Sequence, residues 1–371
     1  MLQLIAVVII INLNDYIEKY SRISFWERPF GEIDALVCAN LAYIHWDDVV
    51  SDKPVKLSEA CKMTINREKD PDRLKTLNLL ISSKRYQHFS LYNYVSETDY
   101  QQQKQFSAIT IKISPFKRYI AYRGTDSTVN GWKEDFNMSF MCPVPAQERA
   151  WEYLTDTIEK RHIYYVGGHS KGGNLAVYAA VMNGNERIKK VYNFDGPGFS
   201  DEFVASEKYT NFVSKIASYI PQGSIVGLLM SNNVDHKIIH SNSDDFIWQH
   251  DPYTWQIEYG HFVNEDGLTQ TARIVNSSVN SWYNDLTIDE RITFINTIYD
   301  IINAQGIHTL YEIADNRWNL AKEAAKSFSK YDGDTRNVLI SASFSLIADI
   351  VKSFWTIKFG KESNDENTGS K

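Results

Sequence analysis

Residues 163–173 read Ile163-Tyr164-Tyr165-Val166-Gly167-Gly168-His169-Ser170-Lys171-Gly172-Gly173. Ile163 to Val166 is short, β-branched and aromatic, the composition of a buried strand. Leu175 to Met182, rich in Ala and Val, follows at once as a helix. A Gly-x-Ser-x-Gly between a strand and a helix predicts a sharp, strained turn that lifts the serine hydroxyl above the sheet. Side chains two positions before and after that serine would meet neighbouring backbone, so Gly168 and Gly172 suit those places. Gly173 lets the helix cross close to the strand, and the helix dipole points at any charge forming beside Ser170. The competing reading is a tight β-to-α turn with an idle serine. A phosphate-binding loop lacks its GxxxxGK[ST] pattern here.

Outward from this turn, strands and helices alternate. Trp151–Lys160 reads as a helix, and Lys190–Phe194, Lys215–Ile220 and Lys237–His240 read as three further strands. Upstream, Ser107–Ile113 and Tyr119–Tyr122 flank a Pro115–Lys117 turn and predict a hairpin. Phe30–Tyr43 has the apolar spacing of an amphipathic helix. Residues 47–105 are polar and mixed, with helical fragments. The predicted class is α/β, an α/β-hydrolase fold with a mainly parallel central sheet covered by helices on both faces. Beyond residue 270 the pattern is helical: Asp289–Ile302, Leu310–Phe328 and Asn337–Trp355. The expected organisation is an apolar N-terminal extension at 1–13, a hydrolase domain at 14–270, a helical C-terminal region at 271–360 and a disordered tail at 361–371.

Composition narrows the partners. Among 371 residues, 39 Lys+Arg stand against 46 Asp+Glu, a net charge of −7 that argues against nucleic acid as a partner. Three widely spaced cysteines, Cys38, Cys61 and Cys142, form neither a metal pattern nor a disulfide framework, which points to a reducing, cytoplasmic compartment. With no HExxH and no clustered Cys/His set, neither a metal nor another cofactor is implied. The apolar run from Leu2 to Leu13 is shorter than the roughly 20 residues a membrane span needs. It reads as a docked element, with weak membrane-surface contact or a secretion signal as alternatives.

A second segment becomes legible beside the Ser170 turn. Ala121-Tyr122-Arg123-Gly124-Thr125-Asp126-Ser127, followed by Gly131-Trp132-Lys133-Glu134-Asp135, resembles the RGT/RGS…W…D segment of class 3 (fungal-type) lipases. The chain more closely resembles the Mbeg-like family of bacterial α/β-hydrolases, from about residue 12 to 350. The residues that carry this are Phe30–Asp34, Arg123–Thr125, Gly168–Gly173, Phe194–Phe199, Ile220–Pro221 with Ser224–Gly227, and His250–Trp255. The resemblance implies an oxyanion hole with Thr125 as one donor. The main-chain N–H of Lys171, the residue after the nucleophile, suits the second.

Chain order in this fold is nucleophile, acid, histidine, which leaves His236, His240, His250, His261 and His308 as bases. His250 is preferred: it lies on the loop beyond the last strand, in a segment resembling the family's histidine loop. The acid is less plain. The lipases carry an Asp in a D-I-V-P-like segment, and here Ser224-Ile-Val-Gly227 stands in its place. Asp195 is the leading substitute, with an Asx-turn role in the Gly196–Gly198 loop as its rival; Asp235 and Asp251 follow. With no carboxylate available, Ser224 would orient His250 by a neutral hydrogen bond. Asp126–Phe140 reads either as a lid, by analogy to the lipases, or as an ordinary packed helix. The expected activity is acyl-ester cleavage on a small-molecule or lipid substrate. The alternatives are acyl transfer or amide cleavage with the same site, or a catalytically silent binding scaffold.

Overall fold

The computed structural model describes residues 10–126, 128–244, 248–274, 276–277, 287–307, 312–313 and 316–329. Most of the apolar run at 2–13, His308, the expected helix at 337–355 and the 361–371 tail lie outside them. The chain divides into two compact units. One comprises Met1–Asp99, Gln105–Gly124 and Cys142–Ser281; the other comprises Tyr100–Lys104, Thr125–Met141 and Trp282–Lys371.

Among the described residues of the first unit, eight strands form one sheet in sequence order. They are β1 (Val55–Lys56), β2 (Ser90–Asp99), β3 (Lys104–Lys112), β4 (Lys117–Tyr122), β5 (Ile163–His169), β6 (Ile188–Phe194), β7 (Ile216–Pro221) and β8 (His236–Ile239). β3 and β4 form the expected hairpin, with Ile111 opposite Tyr119. From β4 to β8 every pairing is parallel. Parallel neighbours must be joined by crossovers, so helices lie over the sheet and its strands are buried. That is the α/β-hydrolase arrangement.

Three helices matter for the site: α1 (Leu13–Lys19), α2 (Glu32–Leu41) and α7 (Lys171–Asn183); the intervening helices are α3 (Leu57–Thr64), α4 (Pro71–Ser82), α5 (Val129–Asn137) and α6 (Pro145–Thr157). α2 starts where Gly31 N–H donates to Asp34 at 3.0 Å. The same carboxylate takes two bonds from Arg85, at 2.8 and 2.6 Å, and one each from the Tyr86 and Tyr16 hydroxyls, at 2.8 and 3.2 Å. Both charges are fully buried, so each needs the other. The network fixes the start of α2, which packs on β4 and β5 and delivers Tyr43 beyond its C-terminal end.

β2 falls inside the stretch expected to be polar and helical. Only Leu91 of its residues is buried, because β1 covers just its first two positions. Half-covered strands lack the clean alternation that marks a strand in sequence.

In the second unit, α5 is capped by Thr128, whose hydroxyl accepts from Gly131 N–H at 3.2 Å. Val129 joins a cluster with Phe294, Ile298, Leu320 and Phe328 from the helices Ile288–Ala304 and Arg317–Phe328. Trp132, Phe136 and Phe140 pack against that cluster. Trp132, Phe136 and Phe140, from the segment read as a lid or a packed helix, are thus packed within their own unit. No helix among the described residues is long and apolar enough to cross a membrane.

Candidate active site

β5 ends at His169, α7 begins at Lys171, and Ser170 makes the turn between them with φ 58° and ψ −135°. For a residue with a Cβ this left-handed conformation costs about 1–3 kcal/mol and persists only where surrounding contacts impose it. Those contacts are present: Ser170 N–H donates to Phe194 O at 3.0 Å, and Gly173 N–H donates to Ser170 O at 2.8 Å. The flanking glycines answer to space. A Cβ on Gly168 would sit 2.4 Å from the Gly172 carbonyl, and one on Gly172 would sit 2.2 Å from Tyr122 O. The Ser170 hydroxyl is half-buried and makes no hydrogen bond among the described residues. Catalytic hydrogen bonds are commonly long before substrate binds.

Asp195 follows β6 directly and also has a positive φ, 53°. Its side chain is fully buried and satisfied. Oδ2 accepts from His250 Nδ1 at 2.6 Å and from Ser224 Oγ at 2.6 Å, while Oδ1 accepts from Gly227 N–H at 3.1 Å. The structure thus brings together Asp195 and His250, two of the residues singled out in the sequence, and Ser224 touches the same carboxylate. Since Ser170 is bonded to Phe194, the residue before Asp195, the strained serine and the acid sit at neighbouring strand ends.

His169 precedes Ser170 and so stood outside the histidines considered as bases, yet it packs against His250. Its Nε2 lies 2.7 Å from the main-chain O of His250 and its Nδ1 lies 3.1 Å from the Tyr43 hydroxyl. A carbonyl oxygen only accepts, so Nε2 of His169 carries the proton, and the Tyr43 hydroxyl hydrogen is shared between two acceptors at 3.1 Å, Nδ1 and the main-chain O of His169. Burial, then the neighbouring His250, hold the His169 imidazole well below its ordinary pKa, so it is neutral. Its ring lies 4.5 Å from that of His250. His250 is therefore held on one side by Asp195 and on the other by the residue preceding Ser170.

The same rule fixes the tautomer of His250. A carboxylate only accepts, so Nδ1–H donates to Asp195 and, in the neutral ring, Nε2 keeps its lone pair.

The other candidates are engaged elsewhere. His236 bonds Ser218 at 2.9 Å, His240 bonds Glu265, and His261 bonds Glu32 at 3.0 Å. Asp235 is exposed. Asp251 accepts from Tyr253 N–H at 3.0 Å, and burial raises its pKa to about 6. Thr125 belongs to the second unit, where its hydroxyl donates to Asp135 at 2.5 Å. Gly124, just before it, lies against the turn: a Cβ there would be 2.8 Å from His169 O and 3.1 Å from Ser170 Cβ. Lys171 is buried as the first residue of α7.

A family model described as Mbeg1-like matches residues 80–300. No curated protein matches the chain in sequence. Solved structures similar to this one include the following three. The M37 lipase is 16% identical, over 54% of this chain and 70% of that one, with a TM-score of 0.36. A mutant form of MDLA from Penicillium cyclopium is 11% identical, over 70% and 90%, with a TM-score of 0.42. Lipase II from Rhizopus niveus is 13% identical, over 70% and 91%, with a TM-score of 0.36.

Proposed function

We propose that this chain, which belongs to the Mbeg1-like family, is a serine hydrolase that cleaves acyl esters through an acyl-Ser170 intermediate. The observation that carries the reading is the 2.6 Å bond between His250 Nδ1 and Asp195, which leaves the Nε2 lone pair of the neutral ring free to take a proton, while Ser170 holds a strained turn on the next strand end. Nε2 takes the Ser170 proton as the oxygen attacks the acyl carbon. The imidazolium, balanced by Asp195, then protonates the departing alkoxide, and the carbon–oxygen bond of the ester breaks. Water, deprotonated by the same nitrogen, releases the acyl group and restores Ser170. Charge on the tetrahedral oxygen falls to the Lys171 main-chain N–H, aided by the dipole of α7.

The acyl donor is a small-molecule or lipid ester, and the three free cysteines fit a cytoplasmic setting. A different acceptor in the second half-reaction would make the same residues an acyltransferase. The unbonded Ser170 hydroxyl favours one rival, a silent scaffold that binds without reacting. A fluorophosphonate probe separates them: wild-type protein is labelled and Ser170→Ala is not. Absence of labelling in the wild type, or labelling that survives the substitution, rejects the hydrolase.

A further inference from the structure

We infer that Ser224 is a positioning residue for the Asp195–His250 pair, a role that rests on the hydrolase reading above. Its side chain is fully buried, and its hydroxyl donates to the same carboxylate oxygen that holds the imidazole. A carboxylate has no proton to give, so the hydroxyl hydrogen is committed to Asp195 and Ser224 is not itself a nucleophile. The turn that carries it is tied at both ends of the pair. Gly227 N–H donates to the other oxygen of Asp195, and a Cβ on Gly227 would meet that oxygen at 2.4 Å. Gly223 N–H donates at 2.6 Å to the side chain of Gln249, the residue before His250. Residues 223–227 therefore brace the acid directly and the base through its neighbour.

Donation by Ser224 has two separable effects. It aims Oδ2 at His250 Nδ1, and it takes up part of the carboxylate charge that would otherwise attract the imidazolium. Loss of the hydroxyl leaves a less solvated charge, which favours the protonated ring, while the aim of the ring loosens. The other ionisable groups facing His250 are His169 from β5, held neutral by burial, and Asp251 on its own loop. His236 on β8 feels the charge of Asp195 and is itself bonded to Ser218. None of these bonds Ser224, so the substitution leaves their contacts in place.

The test uses the full chain as wild type, Ser224→Ala and Ser224→Cys, the last a weaker donor of similar size. Ring-labelled histidine NMR follows His250 through pH, and p-nitrophenyl ester kinetics give kcat and KM. In Ser224→Ala the midpoint of the His250 titration rises by about 0.5–1 pH unit, as loss of one hydrogen bond to a charge implies. On the same ground kcat falls about 3- to 30-fold with KM within about twofold. Ser224→Cys lies between, and serves alone if the alanine variant does not fold. An unmoved or lowered midpoint overturns the role, as does a kcat loss that merely tracks a lower melting temperature. If the wild type is neither labelled nor active, the hydrolase reading fails, while the NMR midpoint still decides whether Ser224 loads the carboxylate.

Discussion

Replacing Asp195 with Asn tests the arrangement most sharply, because the carboxylate receives three donors and an amide cannot accept them all. Oδ2 takes His250 and Ser224, and Oδ1 takes Gly227 N–H. If the amide oxygen stays toward Gly227, the NH2 group faces His250, whose Nδ1 must then accept. The proton moves to Nε2, and the ring can no longer act as a base. If the amide flips, two N–H groups confront each other at Gly227. The first orientation costs less, so the wrong tautomer is the expected state. Loss of the correct tautomer and of the counter-charge together is worth about 10³–10⁴ in kcat, or roughly 4–5.5 kcal/mol of barrier. The assay is kcat/KM on a p-nitrophenyl ester, with a thermal melt as the control for folding. A folded Asp195→Asn protein within about tenfold of the wild type would show that Asp195 does not orient the base.

Three further outcomes follow from the geometry. Arg85→Met leaves the buried Asp34 charge without its partner and should destabilise by about 3–5 kcal/mol in a denaturant titration; a loss under about 1 kcal/mol refutes the account of the pair. Tyr43→Phe removes the hydroxyl shared by His169 Nδ1 and its main-chain O, and a denaturant titration should show unfolding easier by about 1–3 kcal/mol, as for buried acceptors left unpaired. Asp251 is pushed up to about 6 from an ordinary value of 3.8. Its folded form thus resists ionisation, with no penalty below the unfolded value, a growing one from there to about 6 and the full one above. Asp251→Asn keeps the cap on Tyr253 N–H, so its melting temperature should exceed the wild type at pH 7.5 and match it near pH 3.5. A constant difference across that range removes the carboxyl as the cause.

The Ser170 turn and the parallel sheet were readable in the sequence because both rest on local chemistry: glycines where backbone crowds, and β-branched runs where strands are buried. Asp195 and His250 were readable as candidates by order along the chain. Their bond was not, since it closes a gap of 55 residues between two loops. His169 was passed over because its partners are a tyrosine 126 residues away and a main-chain oxygen, neither of which leaves a pattern. Asp34 and Arg85 are 51 residues apart, on a helix start and a loop, and their pairing is likewise invisible before folding. Ser224 was weighed as a stand-in for a missing acid. The structure gives it to Asp195 instead, because a hydroxyl beside a buried carboxylate has only one way to point.

Ser170 and Asp195 share an unusual property: each holds a side chain where the backbone alone would favour glycine. Glycine at either place would relax the main chain. The polypeptide is thus locally at odds with itself at two adjoining strand ends, and nowhere else on the parallel half of the sheet among the described residues do strand ends carry such a residue. Such strain persists only where surrounding contacts impose it, and at Asp195 three donors to the carboxylate do so; the discomfort concentrates at the residues proposed to do the chemistry.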